Sequence, residues 1–199
     1  MYARLTSFFA TNNTIYSRQY VFRSQHSCEH ALIDAQNTIL KTLNNKHVAL
    51  LLLIDFSKAF NMVDHGILLS KLSRYGIRGV ALSWLESYLS NRTQYVNVNN
   101  TNSSSSNLCY GVPQGSILGP LLFVIYINDL PSICPDVTFI LYADDANIIV
   151  TGTDLADVKT KINDLLAKLQ EWVMFLNGSC KDVFTSYLYC MIRTVNYHY

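Results

Sequence analysis

The sequence predicts an α+β domain in which helices pack on a small sheet. Three observations carry this prediction. Residues 48–54 form a continuous apolar run of strand length. Two further apolar runs, 137–142 and 147–150, are separated by Ala-Asp-Asp-Ala, the spacing of a tight hairpin. Between and after these runs, apolar residues recur at helical intervals, so sheet and helices must share one core.

The elements follow in chain order. Cys28, Leu32, Ala35, Ile39 and Leu43 recur every three or four residues and predict a helix over 27–43. The run at 48–54 has no polar alternation, which predicts a strand buried on both faces. Ile67, Leu68, Leu72 and Tyr75 are in helical phase, and Gly76 is a helix stop. Val80, Trp84, Leu85, Tyr88 and Leu89 predict another helix, and 95–98 a short strand. Residues 99–107, NNTNSSSSN, are polar and of low complexity, so an exposed, mobile connection is expected there. The segment 111–120, GVPQGSILGP, leads into an apolar helix over 121–130 that Pro131 closes. After the hairpin, Asp154 is placed to cap a long amphipathic helix with apolar positions Leu155, Val158, Ile162, Leu165, Leu169 and Trp172. Beyond Asn177-Gly178 the pattern dissolves.

Bulk properties narrow the class. A chain of 199 residues that is 50% hydrophobic suffices for one domain with a real core. A net charge of +1 sets it apart from strongly basic proteins that grip phosphate backbones over many contacts. Nucleic-acid binding would need a local basic groove or basic parts outside this chain. The five cysteines, Cys28, Cys109, Cys134, Cys180 and Cys190, are widely spaced and odd in number, which suits reduced intracellular thiols rather than a disulfide framework or zinc site. No run approaches the roughly 20 apolar residues of a membrane span, and residues 1–13 lack a signal-peptide core. A soluble, intracellular protein without membrane contact is expected.

The chemistry points to carboxylates. Asp55 directly follows the apolar strand, and Asp144 and Asp145 stand at the hairpin turn. A charge at the end of an apolar strand costs desolvation energy unless it is paired or bound to metal. Three acids near one sheet edge repel each other, a divalent cation removes that repulsion, and hard oxygen donors suit magnesium. Ordinary roles compete: Asp55 as a helix cap, Asp-Asp as turn chemistry. The residues by themselves define a candidate metal site and no more. A phosphatase of the Asp-x-Asp type wants a second Asp where Ser57 stands.

Larger blocks narrow the choice. Residues 51–65, LLLIDFSKAFNMVDH, resemble motif A of non-LTR (LINE-type) retrotransposon reverse transcriptases. GVPQGSILGPLLF resembles their motif B and LYADDANII their motif C, in matching order and spacing. Upstream, SRQYVFRSQHSCEHAL resembles the fingers segment written Q-x-G-F-R, and the helix ending near Trp172 resembles the one before motif D. The resemblance runs from about Gln19 to Trp172 and implies an α+β palm, a small antiparallel sheet with packed helices, plus partial fingers and no thumb.

It also implies roles. Asp55, Asp144 and Asp145 would form the catalytic triad, holding two magnesium ions with the backbone carbonyl of Phe56. Backbone amides near Lys58 and Ala59 would hold the incoming deoxynucleoside triphosphate. Phe60 would crowd a ribose 2′-hydroxyl, although an isolated Phe usually serves core packing. Gln114 and Gly115 would lie against nucleotide and template, and Arg23 would contact the triphosphate. Tyr142 either lines the primer end or packs. RNA template, DNA primer and deoxynucleoside triphosphates are the implied partners, in nucleus or cytoplasm.

Departures from the family pattern carry their own expectations. Asn61 stands where Asp is usual, which alters local hydrogen bonding. Val21 replaces a Gly, so the loop presenting Arg23 is expected to be strained. After Trp172 no Lys-Thr pair follows, and Lys181 is a poor substitute. A partial reverse transcriptase domain over 1–177 and an aberrant, poorly ordered tail over 178–199 are therefore expected, the tail arising from a disrupted reading frame or altered splice. The competing function is a catalytically inactive retrotransposon relic with at most weak RNA binding.

Overall fold

The computed structural model of the chain describes residues 1–23, 25–56 and 59–176 and the backbone of Leu188–Val195. In order, the elements are α1 (Tyr2–Thr11), α2 (Cys28–Asn44), β1 (Val48–Phe56), α3 (His65–Arg74), α4 (Val80–Leu89), β2 (Arg92–Gln94), β3 (Asn97–Val98), β4 (Thr101–Asn102) and β5 (Ser106–Leu108). There follow α5 (Leu118–Ile127), β6 (Thr138–Tyr142), β7 (Asp145–Gly152), α6 (Leu155–Leu176) and β8 (Leu188–Val195). The α+β class holds. The chain divides into two compact units, Met1–Ala59 with Ile127–Tyr199, and Phe60–Tyr126.

The first unit is built on an antiparallel sheet of order β6-β7-β1-β8. β1 was expected to be buried on both faces, and it is not. Leu52, Ile54 and Phe56 are buried, whereas Leu51 and Leu53 are half-buried and Asp55 is exposed. The reason lies in α2, which covers that face only in part. Ser27 caps α2 by accepting from the His30 amide. Ala31 packs on Ile140 and Ile149, while Leu32 of the same helix stays 64% exposed. On the other face α6 buries Val158, Ile162, Leu165, Leu169 and Trp172, the stripe read from the sequence, with Leu155 exposed. Asp154 caps α6 as expected, its Oδ1 accepting from the Asp157 amide at 2.9 Å.

β8 lies within the stretch that the sequence reading set aside as a tail. Its segment, LYCMIRTV, is rich in aromatic and β-branched residues that suit a strand, and it pairs along β1 from Ala49↔Val195 to Phe56↔Leu188. Residues 177–187 and 196–199 lie outside the described residues.

In the second unit, α3 is capped by Asp64, whose Oδ1 accepts from the Ile67 amide at 2.8 Å. The polar stretch 99–107 is exposed, as expected, but it carries regular structure. β3 and β4 form a hairpin closed by Asn99 and Asn100, at φ +50° and +62°, and Ser106–Leu108 pairs with Arg92–Gln94. Both central residues at positive φ mark the I′ turn class, and Asn tolerates that conformation better than most residues. The short strand expected over 95–98 is confined to Asn97–Val98. α5 begins at Leu118, earlier than expected, and is apolar on all sides.

Among the described residues no helix is long and apolar enough to cross a membrane. Cys28, Cys109 and Cys134 are free thiols.

Candidate active site

In the first unit, β1 and β7 run antiparallel in a register that puts Asp55 opposite Asp145. Asp144 lies in the two-residue turn between Tyr142 and Asp145, which are themselves paired. Alternation along β1 sets Leu51, Leu53 and Asp55 on one side, above a cavity of about 590 Å³ that Leu32, Asp145 and Asn147 also line. Asp145 feels the other two carboxylates. Partial burial, then the charges of Asp144 and Asp55, push the Asp145 carboxyl above its ordinary range. Phe56 points to the opposite face, its ring 6.1 Å from that of Trp172, whose Nε1 donates to Asp129 at 3.2 Å.

The turn that carries Asp144 is strained. Ala143 adopts φ +53°, a conformation that costs an L-residue with a Cβ on the order of 1 kcal/mol or more. Positive φ at the first central position alone is the II′ pattern, where Gly is the usual choice. Gln19, absent from the sequence-derived site, reaches this turn. It is 1% exposed, and its Oε1 accepts from the amides of Val21 at 3.2 Å and Ala143 at 3.4 Å. The signal for Gln19 was the Q-x-G-F-R resemblance, but only the fold brings it to the hairpin.

Arg23 is half-buried, and its Nη1 donates to the carbonyls of Tyr16 at 3.0 Å and Ser17 at 2.8 Å. Arg23 also lines a cavity of about 420 Å³ with Thr6, Asn13 and His26. The strain expected at this loop from Val21 sits beside it, at Phe22 (φ +54°) and Gln25 (φ +61°). Ala59 is buried, and Lys58 lies outside the described residues.

Three candidate residues belong to the second unit. The Phe60 ring packs 4.9 Å from that of Phe123, and its carbonyl accepts from the Val112 amide at 2.8 Å. Gln114 is exposed, and its Nε2 donates to Asn61 Oδ1 at 2.8 Å. Gly115 takes φ +75°, and a Cβ built there meets nothing within 4 Å. Its absent side chain answers a backbone need rather than a tight internal contact.

The donor set suits a hard cation: three carboxylates whose repulsion a divalent ion would relieve. Among the described residues, however, no three acidic, His or Cys side chains already converge closely enough to hold a metal ion.

An antiparallel sheet backed by helices, with acids at one end of neighbouring strands, is the palm-like α+β fold of reverse transcriptases. A telomerase from Candida albicans, solved with a fragment of telomeric RNA, matches 97% of this chain and 34% of its own, with a TM-score of 0.62 at 13% identity. A telomerase from Candida tropicalis without its C-terminal domain matches 98% of this chain and 40% of its own, with a TM-score of 0.62 at 15% identity.

The chain belongs to the reverse transcriptase (RNA-dependent DNA polymerase) family, whose model matches residues 1–185. Among curated relatives, the RNA-directed DNA polymerase from mobile element jockey of Drosophila melanogaster is 32% identical over 77% of this chain and 18% of its own length. The probable polymerase from transposon BS of the same fly is 30% identical over 89% of this chain and 20% of its own, and that of the X-element 29% over 85% and 19%. These relatives are non-LTR retrotransposon polymerases. The chain spans about a fifth of their length.

Proposed function

We propose that this chain is the palm of a non-LTR retrotransposon RNA-directed DNA polymerase. It extends a DNA primer on an RNA template, inside the cell in the nucleus or cytoplasm. The observation that supports this reading most is the register of Asp55 with Asp145, with Asp144 one residue away in the turn.

The reaction is a nucleotidyl transfer. The primer 3′-oxygen bonds to the α-phosphorus of a deoxynucleoside triphosphate, the bond to pyrophosphate breaks, and the hydroxyl proton leaves to solvent. Asp55, Asp144 and Asp145, with the Phe56 carbonyl, would hold two magnesium ions that neutralise the reacting phosphate and acidify the attacking hydroxyl. The remaining candidates bind and orient. Backbone amides at Lys58 and Ala59, and the guanidinium of Arg23, grip the triphosphate. Phe60 crowds the ribose 2′-position, and Gln114 and Gly115 lie along nucleotide and template. Positioning and electrostatics supply most of the rate in such transfers.

The test is primer extension on an RNA template by the 199-residue chain beside its Asp144→Ala variant. Magnesium-dependent extension by the unchanged chain alone supports the reading. Equal signal from both ends it.

A further inference from the structure

We propose that Gln19 is a positioning residue for the carboxylate site, holding the Ala143 turn in the conformation that presents Asp144 and starts Asp145 in register with Asp55. This rests on the reading of those carboxylates as a magnesium site.

The segment Arg18–Gln19–Tyr20 lies along the free edge of β6. The Leu141 amide donates to the Arg18 carbonyl at 2.9 Å, and the Tyr20 amide donates to the Leu141 carbonyl at 2.9 Å. Alternation then sends the flanking side chains one way and the central one the other. Arg18 Nε sits 3.1 Å from Asp34 Oδ2 on α2, and the Tyr20 hydroxyl donates to the same oxygen at 2.7 Å. With both neighbours anchored to α2, Gln19 has no freedom to turn outward. Its carboxamide is buried and accepts from Val21 and Ala143.

Ala143 is the residue that needs such support. As the first residue of a two-residue hairpin loop, its amide has no ladder partner, and its φ of +53° is disfavoured for a residue bearing a Cβ. The contact from Gln19 reaches that amide from outside the hairpin and ties it to the loop that carries Arg23. At 3.4 Å it is a long hydrogen bond, so it acts by direction and burial more than by strength. A neutral acceptor suits the place, because a carboxylate would add a fourth negative charge beside three that already repel.

The experiment uses the whole chain, labelled with ¹⁵N, in four forms: unchanged, Gln19→Met, Gln19→Met with Ala143→Gly, and Asp144→Ala. Magnesium is titrated while amide shifts at residues 143–146 are followed, and exchange of the Ala143 amide is measured without metal. Gln19→Met keeps shape and burial but has no acceptor. It is expected to exchange the Ala143 amide about two- to threefold faster and to bind magnesium about two- to threefold more weakly, the low end for one hydrogen bond, as suits a long contact. Glycine takes positive φ without penalty, so Ala143→Gly is expected to restore magnesium affinity in the Gln19→Met background without restoring amide protection. Asp144→Ala is expected to lose magnesium binding while Ala143 stays protected. Unchanged Ala143 exchange in Gln19→Met overturns the proposal, as does a loss of affinity that Ala143→Gly leaves in place. If the unchanged chain binds no magnesium, the metal reading fails, and Ala143 exchange alone still decides whether Gln19 holds the turn.

Discussion

Asp55 and Asp145 face each other across the β1–β7 ladder, two acids in directly paired positions with Asp144 adjoining. Like charges so placed destabilise a sheet by about 0.2–1 kcal/mol. Asp145 is the carboxyl held above its ordinary range, first by burial and then by its two acidic neighbours. Asp145→Asn is therefore expected to raise stability at neutral pH by up to about 1 kcal/mol in the absence of divalent ions. Magnesium is expected to stabilise the unchanged chain and to do less for the variant. Urea unfolding with and without magnesium checks both; a variant less stable than its parent in metal-free buffer would count against the repulsion.

A second expectation concerns alkaline pH. Burial, and then the hydrogen bond to Asp34, push the Tyr20 hydroxyl from 10.0 up to about 12. A raised value means that the folded state favours the neutral phenol. The contribution is present in full below pH 10 and is lost as pH rises from 10 toward 12. Denaturant unfolding between those values should show a decline that Tyr20→Phe flattens. Parallel curves for the two proteins would refute the assignment.

Trp172 joins the two ends of the first unit's core, packing on Phe56 behind the carboxylates and donating to Asp129. Removing a large buried aromatic costs about 3–5 kcal/mol, so Trp172→Ala is expected to remove a large share of a domain stability of about 5–15 kcal/mol. Trp172→Phe retains the ring but not the donor, and its expected cost is about 1–2 kcal/mol. Circular dichroism during thermal unfolding ranks the three proteins.

The Asn99–Asn100 turn offers a test in the second unit. Glycine is the favoured second residue of an I′ turn, so Asn100→Gly is expected to tighten the β3–β4 hairpin. Asn99→Val, a β-branched residue at positive φ, should open it. Amide exchange at Val98 and Thr101, the hydrogen-bonded pair that flanks the turn, reads the difference. Equal protection in both variants would show that the turn does not govern the hairpin.

The sequence by itself determined much of this protein. The buried stripe of α6, the Asp154 cap and a tight hairpin at Ala-Asp-Asp-Ala follow from period and turn chemistry, which are local, whereas the structure shortens the loop to Ala143-Asp144 and starts β7 at Asp145. The motif blocks around Asp55, Gln114 and Asp144 identified the family from type and spacing alone. The tertiary structure decided what no local rule fixes. Only the ladder sets Asp55 opposite Asp145 rather than one residue away, and a slip of one residue would turn the acid to the other face. Only the path of residues 18–20 along β6 brings Gln19 to Ala143, 124 positions later in the chain. Only the partial cover given by α2 leaves Leu51, Leu53 and Asp55 beside a cavity. Such relationships join residues distant in sequence. Their partners are chosen by burial and hydrogen-bond satisfaction of the whole unit, and a pattern read one window at a time does not contain them.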